Sequence, residues 1–274
     1  MEEPKAHVLR FYDQNQDEPV LHSFARGTAL VYVRKAPERG ESPNQDAAAL
    51  VPLAPDGGLL VVADGAGGQP AGAQAVRLAV TAFIRTVRHA VRRGNEDLRS
   101  AILAAFDNAN QTILDLGIGA ATTLAVAEIR GEHLRCYHVG DSQIMQFGQR
   151  GKRKYETLAH SPVGYAVEAG VLGEKEALVH EHRHLVTNML GMAEMRIDVG
   201  PLLPLARHDT VVVASDGLLD NVYPDEIVKT LRAGDFLPGG RSLARRCRER
   251  MDSFDPTRPG KPDDVTFLAY RRRG

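Results

Sequence analysis

Two apolar runs in this chain end in the same dipeptide. Residues 59–63 (Leu-Leu-Val-Val-Ala) lead into Asp64-Gly65, and residues 211–215 (Val-Val-Val-Ala-Ser) lead into Asp216-Gly217. Runs of this composition read as buried strands, and Asp-Gly breaks each one with turn chemistry. Each strand thus lifts a carboxylate to the rim of a sheet, where rigid scaffolds present reactive groups. If the rims coincide, the two carboxylates face each other, an arrangement that needs a shared proton or a bound cation. Three further acidic turns abut apolar runs: Asn44-Gln45-Asp46, Gly140-Asp141-Ser142 and Asp263-Asp264. A lone Asp-Gly is ordinary turn chemistry, but these turns together, with no Cys or His cluster among them, point to a metal site of oxygen ligands. Such ligands select Mg²⁺, Mn²⁺ or Ca²⁺ over zinc or copper. They come from distant segments, unlike an EF-hand loop, as a catalytic site requires.

The elements that must position these carboxylates come in blocks. Residues 27–34, 47–52 and 59–63 read as strands, preceded by about 25 polar residues without clear periodicity. A helical stripe follows at Val76, Val80, Phe83, Ile84, Val87 and Val91, ending at Gly94. A second runs through Leu98, Ile102, Phe106, Ala109, Ile113 and Leu116, with Asn95 as its expected cap and Gly117 as its end. Strands resume at 122–128, 134–139 and 144–147. A less periodic stretch over 158–204 includes a short helical piece at 174–178. Helices at 225–232 and 241–251 and a last strand at 265–270 close the chain. Blocks of strands and helices, rather than strict alternation, indicate an α+β fold. The expected organisation is an N-terminal extension over residues 1–26 and one domain over 27–274.

Composition narrows the function classes. Charged residues make up 25% of the chain and the formal net charge is −1, so no global field draws it to nucleic acid or to acidic membranes. The short Arg-rich stretches at 245–250 and 271–273 read as a solvated helix face and a tail. The two cysteines, Cys136 and Cys247, lie far apart without a CxxC spacing. That excludes a disulfide framework and a thiolate zinc site, and it suits a reducing compartment. No apolar run is long enough to span a bilayer and the first residues lack the features of a signal peptide, so the cytoplasm is the expected location.

In order along the chain, Asn44-Gln45-Asp46, Ala63-Asp64-Gly65-Ala66-Gly67-Gly68, Ala121-Thr122-Thr123, Val139-Gly140-Asp141-Ser142, Ala214-Ser215-Asp216-Gly217-Leu218 and Asp263-Asp264-Val265-Thr266 resemble the motifs of the metal-dependent serine/threonine protein phosphatases, the PPM or type 2C family. His160-Ser161, Val167-Glu168-Ala169-Gly170 and Leu190-Gly191 resemble the family's middle segment, so the likeness covers roughly residues 27–270. The resemblance is to bacterial-type members. It implies a four-layer αββα sandwich, two antiparallel β-sheets flanked by pairs of helices, with the metal centre at one end. It also implies two Mn²⁺ or Mg²⁺ ions and a weaker third. Asp64 would bridge the two ions, the Gly65 carbonyl would bind one, and Asp216 and Asp263 the other. Asp46 would hold metal-bound water, and Asp141 would help form the third site. Two cations about 3.5–4 Å apart would activate a hydroxide for in-line attack on phosphoserine or phosphothreonine and neutralise the transferred group. The implied partners are phosphoproteins and a cognate Ser/Thr kinase, with the chain acting as a monomer.

The match departs from the family pattern in two places. The phosphate-binding Arg of many members falls at Glu41, so Arg39, two residues earlier, or Lys35 is the expected substitute. Ala66 stands where some eukaryotic members carry a proton-donating His. His160 is the one candidate replacement acid, though a structural His is the reading to prefer, and His180, His182 and His184 read as solvated loop residues. Glu41 also keeps open a second class of function, a phosphatase-fold binding or regulatory module, and the unseen groove leaves a small-molecule phosphatase as a third.

Overall fold

The computed structural model describes residues 7–37, 39–54, 56–66, 71–94, 97–253, 255 and 258–272. In chain order the elements are β1 (Leu9–Tyr12), β2 (Val20–Phe24), β3 (Gly27–Arg34), β4 (Asp46–Ala54), β5 (Gly57–Ala66), α1 (Ala71–Arg92) and α2 (Leu98–Leu114). Then come β6 (Ala121–Thr122), β7 (Leu124–Arg130), β8 (His133–Val139), β9 (Gln143–Phe147), β10 (Arg153–Glu156), α3 (Pro162–Glu168) and α4 (Glu174–Ala177). The chain closes with β11 (Asp198–Val199), β12 (Leu203–Pro204), β13 (Thr210–Ala214), α5 (Asp216–Leu219), α6 (Pro224–Leu231), α7 (Phe236–Met251) and β14 (Val265–Arg272).

The central strands are continuous apolar runs because both of their faces are covered. In β5, Leu59, Val61 and Ala63 point to one layer while Leu60 and Val62 point to another. In β13, Val211 and Val213 face the same middle layer as Leu60 and Val62, and Val212 and Ala214 face away from it. The strands accordingly form two antiparallel sheets. One has the order β1-β4-β5-β7-β8-β11, with β12 on β8 and β6 on β5, and the other is β10-β9-β13-β14-β3-β2. Three apolar layers hold the stack. Helices α1 and α2 cover the first sheet, joined by an edge-to-face pair of Phe83 and Phe106. The inner faces of the two sheets meet in the middle layer, and α6 and α7 cover the second sheet. This is the expected αββα sandwich.

Differences from the sequence reading fall at edges and caps. Residues 9–24, read as part of an extension, add one strand to each sheet: β1 pairs with β4, and β2 pairs with β3. They escape a periodicity search because an edge strand buries little, and Val20 and Leu21 are exposed. Helix α2 is capped by Asp97, whose side chain accepts the Arg99 N–H at 3.1 Å. The expected cap Asn95 lies outside the described residues, as do Gly67 and Gly68. Helix α7 begins at Phe236 rather than at 241, because Phe236 and Gly240 are already packed against the second sheet. Strand β10 and helix α3 emerge from segments without clear period. No helix among the described residues is long and apolar enough to cross a membrane.

Candidate metal centre

The two Asp-Gly turns meet at one end of the sandwich, and a hydrogen bond ties them together. Asp46 and Asp64 are register partners across β4 and β5, so their carboxylates leave the first sheet side by side. Ser215, on the second sheet, donates its hydroxyl to Asp46 Oδ2 at 2.7 Å and accepts the Thr266 N–H at 3.1 Å. The next residue is Asp216, so this single buried serine fixes the spacing between the two rims.

Backbone and hydroxyl groups hold Asp64 in place. Its N–H donates to Thr123 Oγ1 at 3.0 Å, and its carbonyl accepts the Thr123 N–H at 2.8 Å and the Thr122 hydroxyl at 2.8 Å. Thr123 in turn shares a 2.7 Å hydroxyl contact with Ser142, beside Asp141. Gly140 precedes Asp141 with φ +105, and a Cβ there would lie 2.6 Å from the Thr123 side chain, so the turn tolerates no other residue. Gly217 is held as tightly, since a Cβ would fall 2.8 Å from the Asp264 carbonyl carbon. The Gly65 carbonyl lies beside Gly72 at the start of α1.

The electrostatics show crowded negative charge. Burial, and then the charges of Asp46, Asp216, Asp263 and Asp141, push the Asp64 carboxyl well above the usual carboxylate range. Burial and the nearby Asp264 do the same to Asp46, against the pull of Ser215. Burial followed by the charge of Asp216 raises Asp263 to about 6, Asp220 to about 7 and, with Asp220 adding to it, Asp141 to about 8. Asp216 Oδ1 and Asp220 Oδ2 are buried without a hydrogen bond. Hard oxygen donors in excess of protons, with buried oxygens unsatisfied, fit a pair of Mg²⁺ or Mn²⁺ ions.

The site also holds residues that sequence reading missed. Asp220 caps the C-terminus of α5, four residues after Asp216, a spacing that sets both on one side of the turn. Lys261 Nζ is ion-paired with Asp216 Oδ2 and lies 3.0 Å from Asp263 Oδ2 and 3.5 Å from Asp220 Oδ2. Burial works against this ammonium, but the carboxylates of Asp216, Asp263 and Asp220 outweigh it and hold the group protonated. Arg183 Nε stands 3.7 Å from Asp220 Oδ2. A cavity of about 650 Å³ opens from Asp141, Asp216 and Asp220 toward Val163, Leu178 and Ile197, which places the centre on the wall of a groove.

The residues expected around the phosphate behave differently. Arg39 is clamped on Asp264, with Nε to Oδ1 at 2.9 Å and Nη2 to Oδ2 at 2.8 Å, and its Nη1 donates to Gln45 Oε1 at 2.8 Å. Its Nη2 also lies 3.8 Å from Asp263 Oδ1, so Arg39 borders the centre. Glu41 is exposed. Lys35 turns to Asp13, at 3.3 Å. His160 is structural: its Nδ1 accepts from Gly140 N–H at 3.1 Å and from Asn188 Nδ2 at 2.8 Å, which leaves the Nε2 proton facing Asp198 at 3.3 Å. It stacks on His138, whose Nε2 donates to the Leu158 carbonyl at 2.7 Å. His138, His160 and Asp198 are close enough together to hold a metal ion, and the stacked rings with the hydrogen bonds of His138 Nε2 and His160 Nδ1 also pin the Asp141 turn from beneath. The sequence 180–184 stays on the surface, with His182 and His184 exposed. Cys136 and Cys247 are buried, and burial pushes both thiols up.

The fold brings this rim of carboxylates together between two sheets, an arrangement that fits hard cations. Residues 35–253 match the family described as Protein phosphatase 2C. The chain belongs to that family. It is 32% identical over 177 residues to the protein phosphatase PhpP of Streptococcus pneumoniae, covering 62% of this chain and 70% of the relative. The solved serine/threonine phosphatase of S. agalactiae superposes with a TM-score of 0.72 at 26% identity, over 89% of this chain and 99% of that one. The catalytic domain of the serine/threonine protein phosphatase PstP, solved with two manganese ions, shares the fold at a TM-score of 0.68 and 23% identity, over 92% of this chain and 98% of its own.

Proposed function

We propose that this chain is a Mn²⁺- or Mg²⁺-dependent protein serine/threonine phosphatase whose reaction runs at the Asp64–Asp216 rim. The observation that carries the reading is the convergence of Asp46 and Asp64 from one sheet with Asp216 and Asp263 from the other, tied by Ser215, in a chain of this family. Asp64, the Gly65 carbonyl, Asp216 and Asp263 would hold two ions, with Asp46 beside them and Asp141 at the outer edge. When bound, the ions supply Lewis acidity, which lowers the pKa of water and offsets charge on the phosphoryl group.

The chain's own residues do the rest. Ser215 keeps Asp46 oriented as an acceptor, so this carboxylate can position and deprotonate water at the rim. Arg39 orients a phosphate oxygen. The guanidinium has five N–H donors and three go to Asp264 and Gln45, so one on Nη1 and one on Nη2 remain, the latter on the side of Asp263. The buried thiols take no part, which accords with direct hydrolysis rather than a covalent phosphoenzyme. With Ala66 at the end of β5, the leaving hydroxyl takes its proton from water. The cavity that opens from Asp141, Asp216 and Asp220 toward Val163, Leu178 and Ile197 leaves room beside the rim for residues flanking a phosphorylated side chain, which favours a polypeptide substrate over a free metabolite. Phosphoproteins are therefore the substrates, and a Ser/Thr kinase acting on the same proteins is the counterpart. A monomer in the cytoplasm is the working state that goes with this reading.

Phosphate release from a phosphothreonine peptide, measured beside a panel of small phosphate monoesters with Mn²⁺ and with EDTA, tests the reading. Mn²⁺-dependent release that prefers the peptide and disappears in Asp216→Asn is expected. Preference for the small esters would replace the substrate class, and no release with Mn²⁺ bound would leave a binding module.

A further inference from the structure

Asp264 stands one residue before β14 and is only 1% exposed. Four N–H donors converge on its carboxylate. Oδ1 accepts the Ala36 N–H at 2.7 Å and Arg39 Nε–H at 2.9 Å, and Oδ2 accepts the Gln45 N–H at 2.7 Å and Arg39 Nη2 at 2.8 Å. These donors fill the roughly four lone-pair sites of a carboxylate, which leaves none for a substrate or a metal ion. An amide in this place would turn its own N–H toward two of them. Residues 36 and 45 lie at the two ends of the loop between β3 and β4, so one buried side chain fastens the whole loop to the last strand.

Arg39, on that loop, is thereby held in one orientation. Its side chain is 10% exposed and grips Asp264 side-on through Nε and Nη2, while Nη1 is steadied by Gln45 Oε1. The backbone around it is closed as well, with the Arg39 N–H on the Ala36 carbonyl at 3.1 Å and the Ser42 N–H on the Arg39 carbonyl at 3.0 Å. The same clamp reaches the metal centre from two directions. The Asp264 N–H donates to Asp263 Oδ1 at 2.9 Å, and the Gln45 carbonyl accepts the Gly65 N–H at 2.9 Å. The guanidinium is therefore fixed relative to both Asp-bearing rims.

We infer that Asp264 is a positioning residue for substrate binding: its buried carboxylate sets Arg39 at the rim with one Nη1 and one Nη2 proton left for a phosphoryl oxygen. The inference rests on the proposed phosphatase function. Asp264 has no acceptor left for the substrate, so it acts through Arg39 alone. A mobile arginine loses rotamer freedom when it grips phosphate, whereas a clamped one has lost it on folding, and binding keeps that share of the free energy. A lysine at this position would carry the charge without the side-on fork, because an ammonium has no planar pair of donors to match a carboxylate.

Steady-state hydrolysis of a phosphothreonine peptide at saturating Mn²⁺ tests this, with loading checked by the electron paramagnetic resonance signal of the free ion. Asp264→Asn, Arg39→Ala and Arg39→Lys are each expected to raise KM by about tenfold, the scale of one charge-assisted contact, with the smaller share of the loss in kcat. Asp264→Asn combined with Arg39→Ala should have the KM of Arg39→Ala alone, because the two residues act as one unit. An unchanged KM in Asp264→Asn or in Arg39→Ala would overturn the inference. So would a double variant in which the two losses multiply, or a loss in Asp264→Asn that falls on kcat alone, since either makes Asp264 a structural residue. If Asp264→Asn fails to fold, Arg39→Lys decides: a raised KM supports the clamp, and a wild-type KM overturns it by showing that charge alone suffices. No Mn²⁺-dependent release by the wild type would instead remove the phosphatase reading itself, and this inference with it.

Discussion

The two Asp-Gly turns carry the same dipeptide to the same rim, yet their surroundings are opposite. Asp64 is held by neutral groups, the backbone and hydroxyls of Thr122 and Thr123, and faces other carboxylates. Asp216 starts a short helix and meets the ammonium of Lys261. The first turn accumulates negative charge that only an added cation or protons can relieve. The second brings its own counter-charge. A rim built this way has one side that answers to metal and one side that is pre-ordered.

The sharpest way to break this contrast is to neutralise each turn in turn. Asp64→Asn and Asp216→Asn should each lower Mn²⁺-dependent phosphate release by about 10²-fold or more, since each removes a proposed metal contact. Their metal-free stabilities should move in opposite directions. Asp64→Asn removes a buried charge that repels its neighbours, and should stabilise by about 1 kcal/mol, or about 2–4 °C in Tm for a chain of this size. Asp216→Asn leaves Lys261 with a weaker partner. The Asp216 and Lys261 side chains are 15% and 22% exposed, so screening reduces the cost of a buried pair to about 2 kcal/mol of destabilisation. Thermal melts in EDTA that shift both variants the same way would show that the two turns do not differ as described.

A smaller effect follows from pH. In the metal-free protein Asp263, Asp220 and Asp141 have carboxyl pKa values of about 6, 7 and 8, above the ordinary 3.8. A raised carboxylate pKa means that the folded state binds more protons than the unfolded state, so stability is fully present below the ordinary value and is lost as pH rises through the folded one. The metal-free melting temperature should therefore fall between about pH 4 and pH 8, and the increase on adding Mn²⁺ should grow over the same window. A Mn²⁺-induced increase that stays constant with pH would contradict the charge crowding.

How much of this was legible depends on which interactions are local. The buried strands announce themselves as apolar runs because the sandwich covers both faces, and α1 and α2 because one face repeats at helical spacing. The aspartates at strand rims were legible for the same reason. Asp220 could have been found from its spacing to Asp216, but only once the turn at Asp216 was known to start a helix. Lys261 carries no motif at all: its place depends on Asn221, 40 residues away in sequence. Arg39 was found at the right rim, but its fork on Asp264 spans 225 residues, and no local pattern encodes that partnership. β1 and β2 were missed because edge strands with exposed residues carry little hydrophobic signal.

The smallest expected effect sharpens the role of Arg39. Glu41 is exposed, five residues before Asp46 in sequence, so Glu41→Arg adds a cation without disturbing the core. It should lower KM for a phosphopeptide by about threefold to tenfold, the scale of one charge-assisted contact, with little change in kcat. An unchanged KM would mean that Arg39, already in place, supplies the contact by itself.

The central claim is that the cations sit where the two rims meet. Crystals of the wild type soaked in Mn²⁺ and measured at the manganese absorption edge test it most directly. Two anomalous peaks are predicted among Asp64, Asp216 and Asp263. Peaks confined to the His138–His160–Asp198 pin, or none between the two Asp-Gly turns, would contradict it.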